Sequence, residues 1–292
     1  MTIGTTWVHM FYRHREVFAS NCPVDESAWL SLGTLNFEVE PEAARQYRIL
    51  DEAKHQALLK SNLADVRLHK ELCAGLFRGL GYGKYAELDI NDRAEIAWDM
   101  NIPIPERYHN QFDLIYDGGT LEHIFNPFQG VTNVLRMTKV GGKIVHSQGF
   151  GDQINHGYWT FNPSFLVDFY QANGCGLRKL FVMDVDGVEF QIDLTIPMIP
   201  LGRGTAGYVG PAAVMLTSMQ LLRHYLETVP NGQPSFWRRK AVDLLARWFG
   251  PRIMQYPNFS LIAVFEKQYA VEKIAAPLQS IYAMDSILAK PD

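Results

Sequence analysis

Residues 112–128 read FDLIYDGGTLEHIFNPF and change character twice within a short span. The run FDLIYD is apolar and typical of a buried strand. At the other end, Asn126 and Pro127 are residue types that commonly cap and start a helix. An acid, two glycines and an adjacent Glu–His pair lie in between. This order of strand, polar turn and helix predicts one unit of an alternating α/β sheet.

The same alternation continues on both sides of this stretch. Strands are predicted over 29–34, 84–90, 94–100, 112–117, 143–148, 176–186 and 259–267, and helices over 41–63, 65–79, 127 onward and 161–174. Short units of strand, helix and strand favour a parallel sheet that is covered on both faces. The predicted fold class is therefore α/β: a doubly wound, mostly parallel, seven-stranded Rossmann-like sheet with a helical insertion between the last two strands.

This pattern divides the chain into four parts. They are an N-terminal extension (1–28), a core (29–186 with 259–267), an insertion or lid (187–258), and a C-terminal helix and tail (268–292). Within the insertion, residues 236–252 carry five basic residues, one acid and four aromatics. A solvated basic face on a lid, a lid over an anionic or aromatic substrate, and a helix on a membrane surface all fit that segment.

The composition excludes several classes of protein. The chain has 292 residues, of which 47% are hydrophobic and 20% charged, as in ordinary globular proteins. A net charge of −4 disfavours a nucleic-acid partner. No apolar run approaches the roughly 20 residues that cross a bilayer, and no secretory signal is evident. Because Cys22, Cys73 and Cys175 form no C-x-x-C pair, we expect reduced, buried thiols and a cytoplasmic location.

Acidic side chains follow two neighbouring predicted strands. The carboxylate of Asp89 could accept hydrogen bonds from both hydroxyls of a ribose, and that of Asp99 could accept from an adenine amino group. Met100 could pack against the purine. Gly33 and Asp117 also fall at the carboxyl ends of strands, where such sheets bind ligands. Either acid alone would fit a helix cap or a surface turn, but the pair indicates an adenosine-containing cofactor.

Four segments resemble the class I S-adenosylmethionine-dependent methyltransferases: YAELDI, EIAWDMN, FDLIYDGGTLEHIFNP and KVGGKIVHS. The resemblance covers about residues 29–185, with 259–267 as the seventh strand. It implies that S-adenosylmethionine is the cofactor, with its ribose on Asp89 and its adenine on Asp99 and Met100.

The methionine part of the cofactor would then lie along the segment that follows the fourth strand. The residues implied there are Asp117, Gly118 and Gly119. The chain departs from the family at its first loop, where a G-x-G-x-G turn is usual and LSLGTLNFEVE stands instead. Gly33 and Thr34 align with that turn.

Methyl transfer needs an acceptor held in line with the methyl group, and a general base helps when the acceptor carries a proton. His123 is the first candidate for that base, because it follows the fourth strand and is adjacent to Glu122. Alternatively, His123 packs the next helix and Glu122 orients a loop. His156, after the fifth strand, is the second candidate. His146 lies within the predicted fifth strand and is expected in the core.

The acceptor pocket is expected to have aromatic walls, since Tyr158 and Trp159 follow His156 closely. Asp117, Glu122 and His123 also suggest a magnesium site. Their spacing, D-x-x-x-x-E-H, matches no dedicated metal motif, so no metal site is predicted.

The resemblance implies methyl transfer to oxygen or nitrogen of a small-molecule acceptor, in natural-product biosynthesis or sugar modification. The alternative is a non-catalytic binding or scaffold protein with the same fold, suggested by the single glycine of the first loop. A nicotinamide-dependent oxidoreductase is disfavoured because no G-x-G-x-x-G follows a strand. The sequence names no acceptor and leaves a homodimer open.

Overall fold

The computed structural model describes residues 2–49, 66–150, 156–183, 187–192, 199–200, 208–209 and 260–277. The α-helices of these residues are α1 (Thr5–Arg13), α2 (Arg15–Phe18), α3 (Pro41–Gln46), α4 (Val66–Gly79), α5 (Pro127–Met137) and α6 (Pro163–Ala172). The strands are β1 (Thr2–Gly4), β2 (Ala28–Leu32), β3 (Asn36–Glu38), β4 (Lys84–Asp89), β5 (Ile96–Ala97), β6 (Phe112–Asp117), β7 (Thr138–Gly149), β8 (Cys175–Met183), β9 (Glu189–Gln191), β10 (Ile199–Pro200), β11 (Tyr208–Val209) and β12 (Ser260–Lys267).

Eight of the described strands form one sheet in the order β5-β4-β2-β6-β7-β12-β8-β9. The first five run parallel to their neighbours, whereas β12 is antiparallel to both β7 and β8. This arrangement confirms the predicted doubly wound, mostly parallel Rossmann-like sheet. Beyond the seven predicted strands, β9 pairs antiparallel with the edge of β8, so the first residues of the predicted insertion belong to the sheet.

Apolar side chains cover both faces of this sheet. On one face, Trp29 of β2 stacks on Phe77 of α4 with ring centroids 3.8 Å apart, and Phe11 of α1 joins them. On the other face, Val134 of α5 and Phe169 of α6 are buried. Fully burying a side chain of this kind contributes about 1.5–3 kcal/mol. Helices therefore pack on both faces, and the carboxyl ends of the parallel strands stay open at one edge.

The helix after β6 begins as the sequence predicts. The Asn126 side chain accepts a hydrogen bond from the Gln129 backbone N–H at 3.1 Å, and Pro127 occupies the first turn. A cap of this kind contributes about 1 kcal/mol. Because the cap fixes where α5 starts, it also fixes the length of the turn between β6 and α5.

Two predicted elements are only partly formed among the described residues. Of the helix predicted over 41–63, α3 covers Pro41–Gln46, and Arg48 beyond it has a φ of 52°. The carbonyl of Ile49 then lies so close to Gly75 of α4 that a Cβ there would clash, which shows that the chain turns onto α4. Residues 50–65 lie outside the described residues. The strand predicted over 94–100 covers only Ile96–Ala97.

Several predictions concern residues that the structure does not describe. The basic aromatic segment 236–252 lies outside the described residues, as do 278–292 of the predicted C-terminal helix and tail. Residues 268–277 are described and contain no helix. Among the described helices, none has both the length and the apolar character that a membrane crossing requires.

The three thiols differ in exposure, which corrects the expectation that all are buried. Cys73 and Cys175 are buried, but Cys22 is exposed. Burial raises the pKa of Cys175 to about 12 and raises the pKa of Cys73 further. The pKa of Cys22 is also raised, by partial burial and by neighbouring Asp113.

We therefore expect Cys22 alone to react with a thiol reagent in the folded protein at mildly alkaline pH. All three cysteines should react after unfolding in urea. A native chain that exposes more than one rapidly reacting thiol would contradict this packing. Mass spectrometry of the labelled peptides identifies the reacting residue.

Candidate functional site

A cleft of about 1260 Å³ lies at the carboxyl ends of β2, β4, β5 and β6. The predicted site residues that line it are Gly33, Thr34, Asp89, Asp99, Met100, Gly118, Gly119, Glu122, His123 and His156. Residues from separate strand ends thus meet at one edge of the sheet, together with His156, which follows β7. The predicted residues that are absent from this lining are Asp117, Tyr158 and Trp159.

Gly33 marks the closest approach of the first loop to its neighbours. It has a φ of +75°, and a Cβ there would lie 2.7 Å from Thr120 Oγ1. Its backbone N–H donates to the Leu88 carbonyl at 2.7 Å, and that of Thr34 donates to Asp89 Oδ2 at 3.0 Å. Glycine suits this conformation and this contact because it has no side chain. A single glycine therefore keeps the first loop against the end of β4.

Asp89 and Asp99 end up close together because β4 and β5 are neighbours, with Asp89 in register with Ala97. Asp89 Oδ1 accepts from the Asn91 backbone N–H at 3.3 Å. Asp99 Oδ1 accepts from the backbone and side-chain nitrogens of Asn101, both at 2.8 Å. A carboxylate has about four acceptor positions. Both acids therefore retain acceptor capacity for a ligand in the cleft.

Apolar side chains that the sequence analysis missed also line the cleft. Ile90 follows Asp89 and is 78% exposed, and Trp98 precedes Asp99. Their positions next to Asp89 and Asp99 could have identified Ile90 and Trp98 from the sequence. Trp7 lies in the lining because β1, at the start of the chain, pairs in parallel with β3. That long-range pairing has no signature in the local sequence.

Asp117 ends β6 and is fully buried, and its predicted place along the methionine part of the cofactor stays a prediction. Its Oδ1 accepts from the backbone N–H groups of residues 120–121 at 2.9 and 3.3 Å. Its Oδ2 is bonded by Gln148 Nε2 and lies 2.8 Å from Nδ1 of His146, which is buried as predicted. His146 Nε2 is in turn 2.7 Å from the Tyr170 hydroxyl. Because the Asp117 carboxylate bonds both the backbone of the turn and side chains of β7, it fixes the turn after β6.

Tyr158 and Trp159 lie outside the cleft lining, and their role as walls of an acceptor pocket stays a prediction. Their backbone N–H groups donate to the Glu122 carbonyl at 2.8 and 3.2 Å. The Trp159 ring nitrogen donates to the Ile124 carbonyl at 2.9 Å, and the Tyr158 ring meets Phe125 edge-on. Each ring thus has one contact near the turn that contains Glu122, and the two residues remain partly exposed, at 69% for Tyr158 and 43% for Trp159.

Glu122, His123 and His156 converge at one end of the cleft. The Glu122 side chain is buried, and its Oε2 accepts from the Gly149 N–H at 3.1 Å. Its Oε1 lies 3.2 Å from His156 Nε2 and 3.6 Å from His123 Nε2. Burial raises the pKa of Glu122, against the lowering by Gly149 and His156. Burial also lowers the pKa of His123, and His156 lowers it further.

No family model and no curated protein matches the sequence. The chain is similar to a solved complex between the Haloferax volcanii Trm112 methyltransferase activator and a candidate methyltransferase (10% identity, 92% of each chain covered, TM-score 0.39). It is also similar to a candidate methyltransferase from Bacillus halodurans (10% identity, 90% of this chain and 99% of that one, TM-score 0.38). A third is an S-adenosylmethionine-dependent methyltransferase from Archaeoglobus fulgidus (11% identity, 89% and 92%, TM-score 0.37). At these identities the function has to be inferred from the cleft itself.

Removing the carboxylate of Asp117 should lower the free energy of unfolding more than removing that of Asp99. Asp117→Ala leaves the buried groups of His146 and Gln148 without their partner, so we expect a loss of about 3 kcal/mol in the free energy of unfolding. Asp99→Ala removes a partly exposed carboxylate with local partners and should cost less than about 1 kcal/mol. Urea unfolding followed by circular dichroism measures both, and equal losses would contradict these assignments.

Proposed function

We propose that this chain transfers the methyl group of S-adenosylmethionine to oxygen or nitrogen of a small-molecule acceptor. The observation that best supports this proposal is the placement of Asp89 and Asp99. They follow neighbouring parallel strands and line one cleft, to which Gly118 and Gly119 also contribute. Two adjacent carboxylates are suited to accept from ribose hydroxyls and from an adenine amino group.

The cofactor would be held by groups of different chemistry along the cleft. Asp89 would bind the ribose and Asp99 the adenine amine, while Met100, Ile90 and Trp98 offer apolar contacts for the purine. When bound, the cofactor supplies an electrophilic methyl group on a sulfonium. The task left to the protein is to align the acceptor with that methyl group and to exclude water.

The glycines after β6 connect the two ends of the cleft. Gly119 has a φ of +101°, and a Cβ there would be 3.3 Å from Glu122 Oε1. Without side chains, Gly118 and Gly119 let a ligand approach the backbone closely. We propose that the methionine part of the cofactor lies there, which would bring the methyl group toward Glu122 and His123.

The cleft has room for an acceptor beside the cofactor. Its volume of about 1260 Å³ exceeds the roughly 300–1,000 Å³ of pockets that hold one drug-sized ligand. Glu122, His123 and His156 would face the acceptor, either to accept its proton or to polarise it. A carboxylate and two imidazoles can accept a proton from a hydroxyl group, so the proposed acceptors are natural products or sugars that carry hydroxyl groups.

Binding of S-adenosylhomocysteine tests this proposal directly. We expect the wild-type chain to bind it in isothermal titration calorimetry. Asp89→Ala and Asp99→Ala should each weaken binding by about 10- to 100-fold, the loss expected for one charge-assisted hydrogen bond. Asp92→Ala is the matched control, because Asp92 is an exposed acid on the same loop that does not line the cleft.

Three outcomes would count against the proposal. Absence of binding to the wild-type chain would favour the non-catalytic scaffold. Binding that is equally strong in Asp89→Ala, Asp99→Ala and wild type would place the cofactor elsewhere. A shift in NADH fluorescence with no response to S-adenosylhomocysteine would favour an oxidoreductase.

A further inference from the structure

We propose that Glu122, His123 and His156 form a binding site for a divalent transition-metal ion. Each residue offers one donor atom, and the three donors lie within 4.8 Å of one another. One carboxylate oxygen and two imidazole nitrogens are a common ligand set of open metal sites. These ligands differ from the magnesium ligands that the sequence suggested, since they include His156 instead of the buried Asp117.

The distances between the donors suit a single small ion. Zinc bonds imidazole nitrogen and carboxylate oxygen at about 2.0–2.2 Å, so two ligands of a tetrahedral ion lie about 3.4 Å apart. Glu122 Oε1 is 3.2 Å from His156 Nε2 and 3.6 Å from His123 Nε2. Both histidines thus direct their Nε2 atoms toward Glu122 Oε1. The ring centroids of the two histidines are 5.0 Å apart, and the three donor atoms all lie within 4.8 Å of one another.

The backbone holds Glu122 in place for this role. Its Oε2 accepts from the Gly149 N–H at 3.1 Å, which orients the carboxylate and leaves Oε1 toward the histidines. The segment with His156 is fastened to the same residue, because the N–H groups of 158–159 donate to the Glu122 carbonyl. Gly157 permits this contact, since a Cβ there would lie 2.6 Å from that carbonyl oxygen. The two histidines are therefore brought together by fixed backbone contacts.

The two nitrogen donors and one oxygen donor determine which metal ions the site would prefer. Imidazole nitrogen favours zinc, iron, cobalt or nickel, whereas magnesium and calcium prefer oxygen ligands alone. His123 and His156 have side chains that are 48% and 54% exposed, so an ion can reach the site from the cleft. Three protein ligands leave at least one coordination position open.

An oxygen of the methyl acceptor would occupy that open position. A metal-bound hydroxyl would lose its proton to solvent more easily, so the ion would supply the activation otherwise assigned to an imidazole base. The oxygen would then bond the methyl carbon as the bond from that carbon to the sulfonium sulfur breaks, which releases S-adenosylhomocysteine. This use of the metal rests on the proposed function, whereas metal binding itself does not. Metal binding and cofactor binding are measured separately, so failure of one is distinguishable from failure of the other.

The test uses the full chain without a histidine tag, stripped of metal with a chelator. Cobalt(II) is titrated and followed by its visible absorption, and zinc is then added as a competitor. We expect one cobalt ion per chain, with a visible absorption typical of cobalt(II) at a low coordination number. Zinc should displace the bound cobalt, whereas magnesium should not. His123→Ala and His156→Ala should each weaken binding by about 10- to 100-fold.

His109→Ala is the matched control, because His109 bonds the Ile104 carbonyl and lies outside the cleft lining. It should bind cobalt as the wild type does. Since both cleft histidines are partly exposed, their variants are expected to fold, and circular dichroism checks this. The proposal is overturned if wild type binds no cobalt or zinc, or if either cleft variant binds as tightly as His109→Ala.

Discussion

The buried carboxylate of Asp117 is the constraint on which the candidate site depends. A carboxyl group without access to water is tolerated only when hydrogen bonds and nearby partners compensate for its lost hydration. Asp117 obtains them from the amides of 120–121, from Gln148 and from His146. These contacts fix the turn between β6 and α5 at the end where it leaves β6. Gly118, Gly119 and Glu122 therefore have defined positions relative to the sheet.

The first loop depends on the same turn. The Thr120 hydroxyl donates to the Leu32 carbonyl at 2.7 Å, at the end of β2, and Gly33 packs directly against that side chain. From Gly33 the chain continues to Thr34, whose amide bonds Asp89. A continuous path of short contacts thus joins the proposed acceptor end of the cleft to the proposed adenosine end. This path also explains how a loop with one glycine can keep the shape of the cleft.

The N-terminal segment contributes residues to the cleft. Pairing of β1 with β3 places Trp7 in the lining, and α1 packs on the sheet through Phe11. At its far end, Arg13 and His14 bond Glu189 of β9 at 2.9 and 2.6 Å. The segments before and after the predicted core are therefore joined to each other by ion pairs.

The sequence by itself determined the strands, the cap of α5 and the acids at the strand ends, because apolar periodicity, capping and strand termini are local properties. Tertiary structure alone decided which of those side chains lie in the cleft. Asp117 turns inward because the pairing of β6 with β7 places it opposite His146. His156 reaches Glu122 because backbone hydrogen bonds join segments that are distant in the chain. Contacts of this kind depend on register and on long-range packing, which no short stretch of sequence encodes.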